Sequence, residues 1–179
     1  MEDIGNVRRC LFFLDTNKQI TKIKEIIGDN FPYLSFKTFT TEYFKDKKLK
    51  NQILEEFTNN VYNVLLSINC FTEGIDVPST ENAVLIASST NPKEFIQRRG
   101  RVLRKYPGKT KANIYDVIIT PENLDMKDSK NKKIANSLIK SELERFETFL
   151  EDARDSEVKE KNKKIYKELK EKYIIEENE

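Results

Sequence analysis

Residues 94–105, EFIQRRGRVLRK, carry five positive charges (Arg98, Arg99, Arg101, Arg104 and Lys105) in a chain of 179 residues whose formal net charge is only +2. Four of the five are guanidinium groups, which are planar, permanently charged and able to grip a phosphate through two parallel N–H bonds. On a helix, Gln97, Arg101 and Arg104 fall at i, i+4 and i+7 and share one stripe, while Ile96, Gly100 and Leu103 form a neighbouring stripe suited to packing on a sheet. Gly100 in that second stripe permits close approach, at about 1 kcal/mol of helix propensity relative to Ala. Residue types alone leave three readings open: a solvated basic face, a nucleic-acid patch in which residues 93–111 set eight Lys/Arg against Glu94, or guanidinium groups directed at an oxyanion.

Other chemistry is narrowed by what the sequence lacks. There is no histidine, which removes imidazole acid–base catalysis and the commonest zinc ligand. Cys10 and Cys70 each adjoin an apolar run, so buried reduced thiols are expected and no metal site is assigned. Gly108-Lys109-Thr110 matches the end of a phosphate-binding loop, but G-x-x-x-x-G-K-[ST] requires glycine at 103, where Leu103 stands. YPGKTK also leads from the arginine segment toward a strand, the reverse of the strand-to-helix context, and reads as a turn. The sequence has no D-E-x-[DH] box for magnesium. No stretch approaches the roughly 20 apolar residues needed to span a bilayer, and the acidic start MEDIGN is the wrong flank for a secretory signal, so a soluble cytoplasmic protein is expected.

Alternating elements are expected to position these groups. CLFFLD (10–15) reads as a buried strand, followed by a helix with Ile20, Ile23, Ile26 and Ile27 at helical spacing, Thr16 or Asn17 as its N-cap and Gly28 as its stop. YLSFKTF (33–39), VYNVLLSI (61–68), ENAVLIASS (81–89) and ANIYDVII (112–119) read as further strands. Residues 47–58 place Leu49, Ile53, Leu54 and Phe57 on one helical face, and PKEFIQRRGRVLRK reads as a helix with Pro92 in its first turn. Strands alternating with helices imply a parallel α/β sheet, whose ligands gather at the carboxyl ends of the strands, in loops beginning at Asp15, Thr40, Asn69 and Ser88.

The balance of charge then shifts. Residues 1–120 hold 18 Lys/Arg against 14 Asp/Glu, whereas 121–179 hold 14 against 16, so two regions are expected: a folded domain, 1–120, and a charged helical extension, 121–179. In the extension Ile134, Leu138, Phe146 and Leu150 suggest an amphipathic helix, and Val158, Ile165 and Leu169 a thin stripe on a second one.

Three segments, in order, resemble superfamily 2 helicases and translocases. Gln97-Arg98-Arg99-Gly100-Arg101-Val102-Leu103-Arg104 resembles their motif VI, Q-R-x-G-R-x-x-R; Thr72-Glu73-Gly74-Ile75-Asp76-Val77-Pro78 resembles motif V; CLFFLDTN resembles the strand and turn of motif IV. The resemblance covers roughly residues 7–120 and implies a second RecA-like domain: doubly wound, mainly parallel, with helices on both faces. It implies that Arg101 and Arg104 are arginine fingers, reaching the γ-phosphate of ATP held by a partner RecA-like domain. On the nucleotide side it places Gln97 near the nucleotide, Arg98 as an ion-pairing brace, Asp76 toward the ribose and Gly74 where the backbone passes close to nucleic acid. Arg99 occupies a variable position and takes no role. Thr16, Thr40 and Thr72 follow strands, so their hydroxyls and neighbouring helix amides are candidates to hold nucleic-acid phosphates, although ordinary N-caps account for Thr16 and Thr40 as well.

The phosphate cradle and the Mg²⁺ ligands are expected on the first RecA-like domain, in the same polypeptide or in a partner subunit, so this chain by itself is expected to be catalytically incomplete. A fragment of a larger protein is the first expectation; a natural single-domain protein or separate subunit is the alternative. RVLR stands where RNA-handling DEAD-box proteins carry RTGR, and Gln97 stands where they carry His. The chain is therefore more similar to DNA-handling members of the restriction-enzyme and excision-repair kind. The competing function is a nucleic-acid-binding module without nucleotide hydrolysis.

Overall fold

A computed structural model describes residues 7–68, 77–86, 100–121 and 128–173. The chain divides into two compact units, Met1–Val117 and Ile118–Glu179. In the first, β1 (Cys10–Leu14), β2 (Phe36–Phe39), β3 (Val64–Ile68), β4 (Asn82–Leu85) and β5 (Asn113–Asp116) form one sheet in the order β2-β3-β1-β4-β5, with every pair parallel. Phe36, Val64, Cys10, Asn82 and Asn113 stand abreast at its amino-terminal edge. All five residues of β3 are buried and β1 buries all but Phe12, as strands covered on both faces must be.

Two helices provide cover. On α1 (Asn17–Asn30), Ile20 and Ile27 pack with Cys10 and Leu14 of β1 and Val64, Leu66 and Ile68 of β3. The chain steps outward from β1 to β2 and then back to β3, so right-handed crossovers place α2 (Lys47–Thr58) on the opposite face. There Ile53 and Phe57 are fully buried, each worth about 1.5–3 kcal/mol of apolar transfer. Leu49, expected on the same stripe, stays largely exposed in the first turn beneath the Asp46 cap, which accepts from Lys48 N (2.9 Å) and Leu49 N (3.0 Å).

Gly28 does not stop α1. The helix keeps its conformation through Gly28 and ends at Phe31, whose N–H reaches Ile27 O at 2.8 Å, while the Asn30 side-chain amide donates to Ile26 O at 3.0 Å. A side chain and an ordinary N–H thus satisfy the terminal carbonyls, and no left-handed glycine is needed. Cys10 is a buried free thiol, pushed up to about 12 by desolvation; Cys70 lies outside the described residues.

The second unit contains α3 (Ser129–Asp152) and α4 (Ser156–Tyr173). The apolar stripe of α3 runs one residue later than expected at its start: Ala135, Ile139, Leu143, Phe146 and Leu150 are buried, whereas Ile134 is 49% exposed. Glu142 occupies the same stripe and is also buried, which hides the true phase from a count of apolar residues. Its carboxylate takes two bonds from Arg145 (Nη1–Oε1 2.9 Å, Nη2–Oε2 2.6 Å) and one from the Ile119 N–H (3.1 Å). Of the expected stripe on α4, Val158 and Ile165 are exposed; Tyr166 meets the Phe146 ring at 5.9 Å, and desolvation, with Glu147 nearby, pushes its phenol up. No helix among the described residues is long and apolar enough to cross a membrane.

Candidate functional site

Thr16 and Thr40 lie just past the carboxyl ends of β1 and β2, with β3 between them, so about 10 Å separates the two strand ends at roughly 4.8 Å per strand. Their local chemistry differs. Thr16 is the N-cap of α1 in a complete capping box: its hydroxyl accepts from Gln19 N (3.2 Å), and Gln19 Oε1 accepts from Asp15 N (2.8 Å) and Thr16 N (3.1 Å). Replacing Thr16 by alanine is expected to cost about 1 kcal/mol in urea unfolding. Thr40 precedes the 3-10 turn Thr41–Phe44, its hydroxyl makes no cap bond, and its carbonyl accepts from Tyr43 N at 3.0 Å.

The arginines are held differently from the expected single helical stripe. Residues 100–102 are helical and the chain turns out of the helix at Leu103, so Arg101 sits in the last helical turn and Arg104 in the bend beyond it. Pro107 keeps the chain from resuming the helix, because it has no N–H to continue the ladder and disfavours helical backbone at Tyr106. Tyr106-Pro107-Gly108-Lys109 then reverses the chain, with Gly108 at φ +78° and Lys109 N on Tyr106 O at 3.0 Å. This is a type II turn with Pro and Gly at the positions that geometry demands. The expected packing at Leu103 is also corrected, since Val102 is buried and Leu103 is 51% exposed; among the described residues a Cβ on Gly100 would meet nothing within 4 Å. Arg101 is half-buried and Arg104 exposed.

Two residues given no role from the sequence hold this turn. Lys109 Nζ donates to the carbonyls of Pro78 (3.0 Å), Arg104 (3.1 Å) and Val102. Arg9, at φ 47°, places its guanidinium 5.8 Å from the Tyr106 ring, pairs with Glu81 at 2.9 Å and donates from Nε to Thr58 O at 3.1 Å. Because Arg9 immediately precedes β1, the arginine turn exits at the amino-terminal edge of the sheet, opposite the edge carrying Thr16 and Thr40. Thr16 and Thr40 therefore lie at the carboxyl edge, where ligands of such sheets gather, and the turn that follows Arg104 lies at the other edge.

Thr72, Gly74, Asp76, Gln97 and Arg98 lie outside the described residues, as do Ile96 and Arg99. Among the described residues no group of Cys, Asp or Glu is placed to hold a metal ion.

The model of the helicase conserved C-terminal domain family matches residues 2–106, more than half of the chain. The chain belongs to that family. Among relatives of this helicase C-terminal domain, the DNA 3'-5' translocase XPB2 of Sulfurisphaera tokodaii is 27% identical over 136 residues, covering 67% of this chain and 30% of the relative. The DEAD-box ATP-dependent DNA helicase Fancm of Drosophila melanogaster is 29% identical over 142 residues, covering 73% of this chain and 10% of the relative. The chain thus spans less than a third of either. Two solved structures share the fold at 18% identity: the C-terminal part of the Fun30 ATPase domain (TM-score 0.54, 92% of this chain and 50% of that one) and the C-terminal domain of the DEAD-box protein Dbp5 (TM-score 0.51, 75% and 70%). The architecture of this helicase C-terminal domain is accordingly RecA-like, a doubly wound parallel sheet with a helical extension.

Proposed function

We propose that this helicase C-terminal domain is the second motor domain of an ATP-dependent superfamily 2 helicase or translocase acting on DNA. In this reading Arg101 and Arg104 reach the γ-phosphate of ATP bound by a first RecA-like domain, in the same polypeptide or in a partner subunit. Gln97, Arg98, Gly74 and Asp76 complete the nucleotide side, and Thr72, together with Thr16 and Thr40 at the carboxyl edge, contacts backbone phosphates. The phosphate cradle and Mg²⁺ belong to the first domain. Closure of the two domains on ATP assembles the site, and reopening after hydrolysis moves the pair along the nucleic acid.

One observation carries the reading: two guanidinium-bearing residues stand at the exit of a helix whose end is braced by Lys109, with Arg101 half-buried and Arg104 exposed. A solvated basic face has no use for a braced exit. The preference for DNA rests on the RVLR ending and on the two relatives, a DNA translocase and a DNA helicase by name.

Steady-state ATP hydrolysis is the test. The intact protein with its Walker A-bearing domain is expected to hydrolyse ATP and to be stimulated more by DNA than by RNA, and residues 1–179 alone to show no turnover. Greater stimulation by RNA would overturn the DNA assignment, and hydrolysis by the isolated chain would overturn the division of labour.

A further inference from the structure

We propose that Lys109 is a positioning residue for Arg101 and Arg104, an ammonium clamp that ties their turn to the segment ending motif V. The proposal rests on the reading of the two arginines given above.

The sequence builds the clamp locally. Pro107 bars a return to helix, Gly108 accepts the left-handed φ of +78°, and the reversed chain brings Lys109 back to the helix end it has just left. Terminal helix carbonyls lack intrahelical donors and attract cations, and an ammonium offers three N–H bonds. Lys109 uses them on Val102 O, Arg104 O and Pro78 O.

The third acceptor separates this arrangement from a simple helix cap. Pro78 lies 31 residues away in sequence, in the turn Val77–Thr80, and a cap needs only the carbonyls of its own helix. That turn is a fixed anchor: Val77, Ser79 and Thr80 are buried, Thr80 N bonds Val77 O at 3.1 Å, and the Ser79 hydroxyl meets that of Thr58 at 3.0 Å. On the far side of the turn, Arg9 holds both Glu81 and the Tyr106 ring. The backbone bearing Arg104 is therefore fastened from two directions to the strand entrances of the sheet. Groups that stabilise developing charge work by being held in place before the reaction, so loosening the clamp affects the transition state more than ground-state nucleotide binding.

The experiment compares ATP hydrolysis, with and without DNA, by the intact protein and its Lys109→Met, Lys109→Arg and Arg104→Ala variants, with thermal melting of each. Lys109→Met is expected to lower kcat about a hundredfold while KM for ATP moves less than about threefold, the pattern of a misplaced group acting in the transition state. Lys109→Arg, which keeps charge and several donors, is expected to recover at least about tenfold of that loss. Wild-type turnover in Lys109→Met, with Arg104→Ala inactive, would overturn the clamp and leave the arginine reading standing. Wild-type turnover in Arg104→Ala would remove that reading and the clamp with it. A fall in kcat that tracks a lowered melting temperature and is not recovered by Lys109→Arg would assign Lys109 to folding and overturn the proposal.

Discussion

Alanine at Arg101 or Arg104 is expected to lower ATP turnover by the intact protein about a thousandfold, the lower end of what an arginine finger contributes in nucleotide hydrolysis. The transferred phosphoryl group spreads charge over its equatorial oxygens as the bond to the leaving oxygen stretches. A guanidinium set there in advance meets that charge without reorganisation. A thousandfold loss corresponds to about 4 kcal/mol at 25 °C. Removing either group is expected to leave KM for ATP within a few-fold, because the interaction strengthens mainly in the transition state. If the two act on one oxyanion as a unit, the double variant is expected to lose little more than the worse single variant. Arg104→Lys is expected to recover only part of the rate, since a point charge does not reproduce the planar fork. The competing nucleic-acid module expects the opposite pattern: unchanged turnover and weaker DNA binding with a shallower salt dependence.

The second large effect concerns stability. Arg145→Met is expected to destabilise the helical unit by about 3–5 kcal/mol, because it removes the guanidinium from a carboxylate that has been taken out of water. The Arg145 and Glu142 side chains are only 9% and 6% exposed, and the pair is bidentate. An exposed pair such as Lys22–Glu25, at 3.1 Å, is instead expected to contribute under about 1 kcal/mol. Adding Glu142→Gln to Arg145→Met is expected to recover most of the loss, since the amide oxygen stays uncharged and still accepts from Ile119 N. Urea unfolding of the two variants checks both figures. A cost below about 1 kcal/mol for Arg145→Met would show that the pair behaves as a solvated one.

Strands were legible because parallel pairing buries both of their faces: CLFFL and VLLSI are apolar almost without interruption and could hardly be anything else. The start of α1 is legible to within one residue, Thr16 or Asn17, and the capping box that Thr16 forms with Gln19 decides between them. Helix ends were read less well. Gly28 looked like a stop, but a glycine ends a helix only where the chain needs left-handed backbone, and the Asn30 side chain met that need by other means. Stripes slipped where burial was not apolar: Glu142 buried against Arg145 made Ile134 appear to belong to a face that begins at Ala135. The arginine segment shows its residues but not its shape: apolar spacing carries the helix through Lys105, whereas the chain leaves it at Leu103 and puts Arg104 in the bend. Lys109 was invisible for a different reason: its partners are backbone carbonyls, and one of them is remote. The local signal is the Pro-Gly-Lys order, which marks a turn without showing where the lysine lands.

The central claim is that Arg101 and Arg104 act on transition-state charge at a phosphate held by another domain. Equilibrium binding of ADP with a trigonal metal fluoride, a mimic of the phosphoryl group in flight, against binding of ADP alone tests it most directly on the intact protein. Arg101→Ala and Arg104→Ala are each expected to weaken binding of the mimic about a thousandfold, matching the loss in turnover, while the affinity for ADP changes by less than about threefold. Equal affinity of wild type and both variants for the mimic would contradict the account.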